Sequence, residues 1–466
     1  MSIFSRIKHW FSKDEFLTEG GYRELLLLSY PLILMAASNV IMQFADRKFL
    51  GNNSTGELAA ALNSGALYFT LFCFLLVSIN FSSTLIAQYF GKNDLAGCVR
   101  TAWTGFFFAL MILPVFVLLL PAGYYILKHT MNSTLFPDGW QYFLGLLPSG
   151  FFACLAAPFY AFFSGRGQTQ VVAITNICVC LMNILLDWIM IFGKFGVPKM
   201  NIFGAGLATS ISAAIGTLII FTAFLLVDQQ QYKTRSLPPV QWDIICKLLK
   251  YGTPSGLQVI SDFGSFTVML MIIGKLGDVA LAASAIALSI NNLSFSPLMG
   301  LSDATSIIAG QGIGKNKLEI TAGVPFRAMR IALLYMGITA LVYIFGSDIL
   351  IKLFQPETAG DIDFVQVSKT GKLVLLLAAC WNIFDAIKYT VSGGLRGAGD
   401  TKFLMIINLI CAWTLGVPGV FVMVFWIKAN VLQVWGYLVL AFAVESIFLL
   451  LRLYSGKWKN IKLIQN

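Results

Sequence analysis

Histidine is almost missing from this chain: only His9 and His129 occur in 466 residues, both read as terminal or loop positions. That scarcity excludes an imidazole metal centre, or a histidine general base, inside the apolar part of the protein. Charge is scarce too, 12% of residues where a soluble domain has about a quarter, while 58% are hydrophobic and the mean hydropathy is +0.78. Water cannot solvate most of such a surface. Long polar stretches are also lacking. The longest connections between apolar runs, near 228–247, 311–325 and 348–369, are too short for a soluble catalytic domain of at least ~50 residues. Met1–Phe16 mixes charge with aromatics and has no apolar core before a small-residue cleavage site, so no signal peptide is expected. No enzymatic constellation and no bound cofactor are expected.

What is present is apolar sequence in long runs. Phe106–Leu120, Phe143–Phe163, Ile215–Val227, Ile331–Phe345 and Leu438–Leu451, with their flanks, approach the roughly 17–25 residues that a spanning helix needs. Hydrocarbon offers backbone groups no partner, so helices are the expected form. Hydropathy places twelve spans near 25–50, 58–82, 102–127, 140–163, 171–193, 204–227, 248–274, 279–309, 326–347, 370–394, 402–428 and 431–452. The fold class expected is an all-α integral membrane protein. Of eight cysteines, Cys73, Cys154, Cys178, Cys180, Cys380 and Cys411 fall inside these spans. Cys178 and Cys180 lack the spacing of a metal clamp, and all six read as helix packing.

The net charge of +10 suggests nucleic acid only until its distribution is followed. Assigning connections alternately to two sides puts 21 of the 32 lysines and arginines on one side, among them Arg6, Lys8, Lys92, Arg100, Lys315 and Arg396. Ten fall on the other side and Lys388 inside a span. The positive-inside rule then sets both termini in the cytoplasm. No nucleic-acid partner is expected.

The chain repeats itself. Gln88, Gly91, Lys92 and Asn93 recur as Gln311, Gly314, Lys315 and Asn316, an offset of 223. The same offset pairs Pro31 with Pro254, Ser38 with Ser261, Gly51 with Gly274, Leu58-Ala59-Ala60 with Leu281-Ala282-Ala283, Phe72 with Phe295 and Ser83 with Ser306. Further on, Gly165-Arg166-Gly167-Gln168-Thr169 is echoed by Leu395-Arg396-Gly397-Ala398-Gly399-Asp400-Thr401, and Asn176 by Asn408 at a slightly larger offset. Six spans per half give two parallel six-helix repeats, an arrangement used by alternating-access transporters. The expected organisation is an N-terminal segment 1–24, a lobe 25–227, a cytoplasmic linker 228–247, a second lobe 248–452 and a tail 453–466.

A carboxylate at membrane depth costs at least ~2.5 kcal/mol, so each needs a partner or a task. Asp46, Asp187, Asp262 and Asp385 stand out. Asn183 and Asp187 lie one helical turn apart and share a face on which a cation or proton can be held. Asp46 is either part of such a site or a rim acid paired with Arg47 or Lys48. Asp385 has Asn382 and Lys388 within one turn, so Asp385 and Lys388 either neutralise each other or form a switch. Glu445 reads as structural, paired with Arg452 or Lys388, and Asp303 is undecided between its own helix and a cavity. The 39 phenylalanines read mainly as packing and lipid contact, with ring faces for flat cations as the alternative.

Pro31 through Gly51 with Asp46, Asn183-Ile184-Leu185-Leu186-Asp187, Gly204-Ala205-Gly206-Leu207-Ala208-Thr209, Gly252-Thr253-Pro254 with Asp262, Gly310-Gln311-Gly312-Ile313-Gly314, and Asp385-Ala386-Ile387 followed by Leu395–Thr401 together resemble the multidrug and toxic compound extrusion (MATE) family. The likeness covers nearly the whole chain. It implies a V-shaped two-lobe transporter that exports organic cations or other amphiphiles against inward Na+ or H+. It further implies an amino-lobe cation or proton site at Asp46, Asn183 and Asp187 with Thr209, and a carboxy-lobe site at Asp262 and Asp385, either of which is a candidate Na+ site. Lys388 and Asn382 are candidate modulators. Departures from the family pattern are Arg47 and Lys48 after Asp46, an aspartate at 262 where many relatives have glutamate, and Lys388 itself. The partners implied are a small amphiphilic or cationic substrate and membrane lipid, with the protein acting as a monomer in a bacterial inner membrane.

Three rivals remain on the residues. A lipid-linked oligosaccharide flippase of the same superfamily needs several basic residues for pyrophosphate, and the apolar spans supply few. A major-facilitator carrier needs a basic motif where this chain reads Gly91-Lys92-Asn93-Asp94. An intramembrane enzyme lacks its catalytic groups.

Overall fold

The structure, a computed structural model, describes residues 13–355 and 364–464 and is helical almost throughout. Arg6, Lys8 and His9, used in the charge and histidine arguments, lie outside the described residues. Twelve helices are long and apolar enough to cross a membrane. They are α1 (Tyr22–Asn53), α2 (Thr55–Gly91), α3 (Leu95–Thr130), α4 (Phe136–Gly165), α5 (Thr169–Phe192), α6 (Asn201–Leu226), α7 (Trp242–Leu276), α8 (Asp278–Gly314), α9 (Leu318–Lys352), α10 (Phe364–Gly397), α11 (Thr401–Trp426) and α12 (Val431–Ser455). The spans expected from hydropathy all appear, and several continue beyond it. The tract Ser82–Gly91 extends α2 with buried Ser82, Thr84 and Gln88, polar groups accommodated inside protein that a hydropathy window discounts. α7 begins at Trp242, inside the expected linker, and only 315–317 separate α8 from α9. His129 belongs to the last turn of α3, where its ring Nδ1 lies 2.7 Å from Tyr125 O.

The 223-residue offset reappears in the helix ends. Thr55–Gly91 maps onto Asp278–Gly314, both 37 residues long, and the next helix starts at Leu95 in one half and Leu318 in the other. Asn93 and Asn316 hold the same left-handed backbone at the junction, with φ of 64° and 56°. Asparagine tolerates this conformation better than other residues with a Cβ, which is why it recurs at the stop. The Asp94 side chain caps α3 by accepting from Gly97 N at 2.7 Å, and a capping box of Asn430 and Gln433 opens α12.

Two compact units emerge. One comprises Leu34–Gly256 with Gly314–Asn316 and Leu463–Asn466, the other Met1–Ile33, Leu257–Ile313 and Lys317–Lys462. The division falls after Ile33 in α1 and after Gly256 in α7, the same register of the repeat, two residues past Pro31 and Pro254. A proline in a helix interior removes a backbone donor and loosens the ladder there.

Aromatic packing fills each unit. In the first, Trp103 stands edge-on to Phe159, Phe221 and Phe224, and its Nε1 donates to Thr234 O at 2.9 Å, tying the segment after α6 to α3. In the second, Trp381 packs on Trp435 and Phe442, while Trp435 Nε1 donates to Ser284 Oγ at 3.0 Å. Other large apolar side chains face outward, Phe345 at 82% exposure and Trp426 at 76%, as lipid as solvent permits.

Candidate functional site

The first unit gathers four of the residues singled out in the sequence. Asp46 lies two turns before the end of α1, Asn183 and Asp187 are consecutive inward positions of α5, and Thr209 is two turns into α6. Asn183 and Asp187 are fully buried. With its nitrogen turned to the acids, the Asn183 amide donates to Asp46 Oδ1 at 3.1 Å and to Asp187 Oδ2 at 3.2 Å. Its other amide atom, then oxygen, faces Thr209 Oγ1 at 3.3 Å. Asp187 Oδ1 is buried with no hydrogen-bond partner among the described residues. Carboxylate and hydroxyl oxygens on three helices are the hard donors that a proton or Na+ requires. The rim reading of Asp46 fails: Arg47 and Lys48 are exposed, and among the described residues Asp46 makes no ion pair.

The second unit assembles its polar centre differently from the sequence expectation. Lys388 does not fold back on Asp385. Its Nζ reaches Glu445 Oε2 on α12 at 2.9 Å and Asp262 Oδ1 on α7 at 3.4 Å. An extended lysine meets carboxylates on neighbouring helices more readily than one three residues back on its own. Asn408 on α11 donates to Asp262 Oδ1 at 2.6 Å and to Glu445 Oε1 at 3.3 Å. Asp385, 4% exposed, makes no ion pair among the described residues, and both amide atoms of Asn382 are buried without a partner among them. Arg452 pairs with Asp400 and not with Glu445, and Asp303 pairs with Arg396 at 3.3 Å. Sequence reasoning leaves Asn408 out of the site and treats Glu445 as scaffold. The signal that could have found Asn408 is its match to Asn176 in the repeat.

That match holds in space. Asn176 donates to Asn39 Oδ1 at 3.3 Å in the first unit, as Asn408 does to Asp262 in the second, and Asn39 is the residue 223 before Asp262. One scaffold hydrogen bond is thus neutral in one half and charged in the other. The Asp46 centre lies seven residues, two turns or about 10 Å, further along α1 from that register.

A model of the MatE family matches residues 31–189 and again 254–422, one match per half, with starts separated by the same 223 residues. The chain belongs to the MatE family of transporters. This MatE protein is 26% identical over 463 residues to the probable multidrug resistance protein NorM of Thermotoga maritima, a match that covers 98% of the chain and 97% of the relative. It is 25% identical over 415 residues to the multidrug resistance protein MdtK of Yersinia pseudotuberculosis, covering 85% and 86% of the two chains. Among solved structures, an outward-facing multidrug resistance MATE family transporter of the MOP superfamily superposes with a TM-score of 0.85 over 96% of this chain and 99% of that one, at 18% identity. That last likeness speaks for the fold. The MatE chain is a multi-pass membrane protein whose two six-helix halves carry unlike polar centres.

Proposed function

We propose that this MatE transporter is a secondary active antiporter that exports organic cations or other amphiphiles in exchange for inward Na+ or H+. The observation that carries the reading is the Asp46–Asn183–Asp187 arrangement, two acids bridged by one amide within an apolar helix bundle. A buried acid pair of this kind is tolerated when it exchanges a cation. The multidrug resistance names of the bacterial relatives support the substrate class and an inner-membrane location, and the charge asymmetry of the connections supports cytoplasmic termini. The protein works as a monomer in lipid.

Each residue has a task in this reading. Asp187, wholly buried, holds the proton or Na+; Asp46 supplies the second charge; Asn183 fixes the distance between them; the Thr209 hydroxyl adds a neutral oxygen. Loading one monovalent cation cuts the pair's two negative charges to one. A cation drives the cycle only by binding the two access states with different affinity, and a dehydrated pair that opens to one side at a time meets that condition.

Purified protein in liposomes, given a fluorescent organic cation under imposed Na+ or H+ gradients, tests this. Gradient-driven movement is expected, falling at least ~10-fold in Asp187→Asn and Asp46→Asn with the fold retained, a loss of about 1.4 kcal/mol or more. No movement under either gradient overturns the antiporter and favours the lipid-linked oligosaccharide flippase.

A further inference from the structure

Four helices close around Lys388. It is 3% exposed on α10, its Nζ lies between Glu445 of α12 and Asp262 of α7, and the Phe442 ring centre is 5.3 Å away. Asn408 of α11 donates to the same two acids, while its own Oδ1 is buried with no partner among the described residues. Asp385, one turn earlier on α10, makes no ion pair among the described residues. Asp262 Oδ1 and the Glu445 carboxylate therefore face one small space, with the Asn408 amide nitrogen bridging the two acids. The carboxylates are hard oxygen donors suited to an alkali cation, and the space is filled by an ammonium group.

We propose that Lys388 is a tethered cation occupying an Asp262–Glu445 cation site braced by Asn408, so that the carboxy-terminal half takes up no exchangeable ion and exchange is confined to Asp46, Asn183, Asp187 and Thr209. The second clause rests on the reading given under Proposed function; the first stands on the geometry around Lys388.

The repeat supplies an internal control. Gly397 packs on Ser306 O and Gly310 N, and Gly165 packs on Ser83 O and Ala87 N, residues 223 earlier. This common packing aligns α4 with α10 at an offset of 232 and sets Lys388 opposite Ala156. In the first unit the matching amide pair, Asn39 and Asn176, is uncharged and needs no cation. In the second unit an acid on α7 and a lysine on α10 occupy the matching positions together. Without the lysine, buried Glu445 and half-buried Asp262 would face each other uncompensated, a state that is either destabilising or filled from solution. A covalently attached ammonium cannot diffuse away, so a free ion must displace it against a high effective concentration.

Equilibrium binding of radiolabelled Na+ to the purified full chain in nanodiscs tests the inference. Lys388→Met should gain about one saturable Na+ site per chain over its parent, and Lys388→Met/Glu445→Gln should lose it again, because ligand charge sets affinity. Lys388→Arg, which keeps a resident cation, should gain none. No gain in folded Lys388→Met overturns the proposal. Should Lys388→Met fail to fold, Asp262→Asn and Glu445→Gln in the otherwise unchanged chain take its place. Unaltered Na+ stoichiometry in both supports the tethered cation, and a lost site in either overturns it. Loss of Na+ binding in Asp187→Asn reports separately on the amino-half centre: a wild type that binds no Na+ while Lys388→Met still gains a site leaves the lysine inference intact and sinks only Na+ coupling at Asp187.

Discussion

Asn183 holds two acids with one amide, donating to Asp46 Oδ1 at 3.1 Å and to Asp187 Oδ2 at 3.2 Å. Replacing it with leucine leaves Asp46 and Asp187 without their common donor, at a cost of about 1–3 kcal/mol for each buried group left unsatisfied. Asn183→Leu should therefore raise the cation concentration for half-maximal transport at least ~10-fold. Thr209→Ala, which removes one hydroxyl at 3.3 Å, should have a smaller effect, and concentration series in liposomes distinguish them. Equal effects would deny Asn183 its bridging role. A second residue-scale prediction concerns Arg452, whose Nε and Nη2 reach Asp400 Oδ2 and Oδ1 at 2.7 and 3.3 Å. Asp400 is 4% exposed, so Arg452→Ala strands a buried charge at about 3–5 kcal/mol. Thermal unfolding in detergent should show a clear drop that Arg452→Lys, lacking the two-pronged donor, does not restore. At this scale the amino-half site is half legible in the sequence: Asn183 and Asp187 announce themselves as polar groups one turn apart in apolar sequence, whereas Thr209 is reached through family likeness alone. Of the partners of Lys388, Glu445 on α12 is one of the two pairings the sequence offers for that acid, whereas Asp262 on α7 is not legible, because sequence shows only the lysine's own helix.

Among the elements, the contacts of α4 with α2 and of α10 with α8 depend on glycine. A Cβ at Gly165 would sit 2.9 Å from Ser83 O and 3.0 Å from Ala87 N, while at Gly397 it would run into Ser306 O outright. Overpacking of this kind costs about 1–3 kcal/mol. Gly397→Ala should accordingly lower the unfolding temperature more than Gly165→Ala, and the reverse order would contradict the tighter approach in the second half. Helix existence is legible from hydropathy, and the repeat is legible from Gln88-to-Asn93 and Gln311-to-Asn316. Helix ends are not, because turns such as Ser82–Gly91 are polar yet buried in protein. The wide π turns at Leu248–Gly252 in α7 and at Cys411–Gly416 and Val422–Trp426 in α11 give no advance sign either. Those in α11 flank Pro418, whose missing donor explains a loosened ladder only in retrospect.

For the whole molecule, the unlike centres of the two halves set the charge moved per cycle. With one exchangeable cation at Asp46 and Asp187, and Lys388 fixed in the other half, import of one monovalent ion against export of one monovalent organic cation moves no net charge. A membrane potential acts only on net charge, about 2.3 kcal/mol per charge at 100 mV. Liposomes carrying a potassium diffusion potential but no Na+ or H+ gradient should then accumulate no monovalent cationic dye, whereas either gradient at zero potential should drive it. If the second half also exchanged an ion, two charges would enter for one that leaves, and the potential alone would accelerate transport. Potential-driven accumulation would thus refute the one-ion cycle while leaving antiport itself standing. Its persistence in Lys388→Arg, where a guanidinium still fills the space, would point to a charge carried elsewhere than between Asp262 and Glu445.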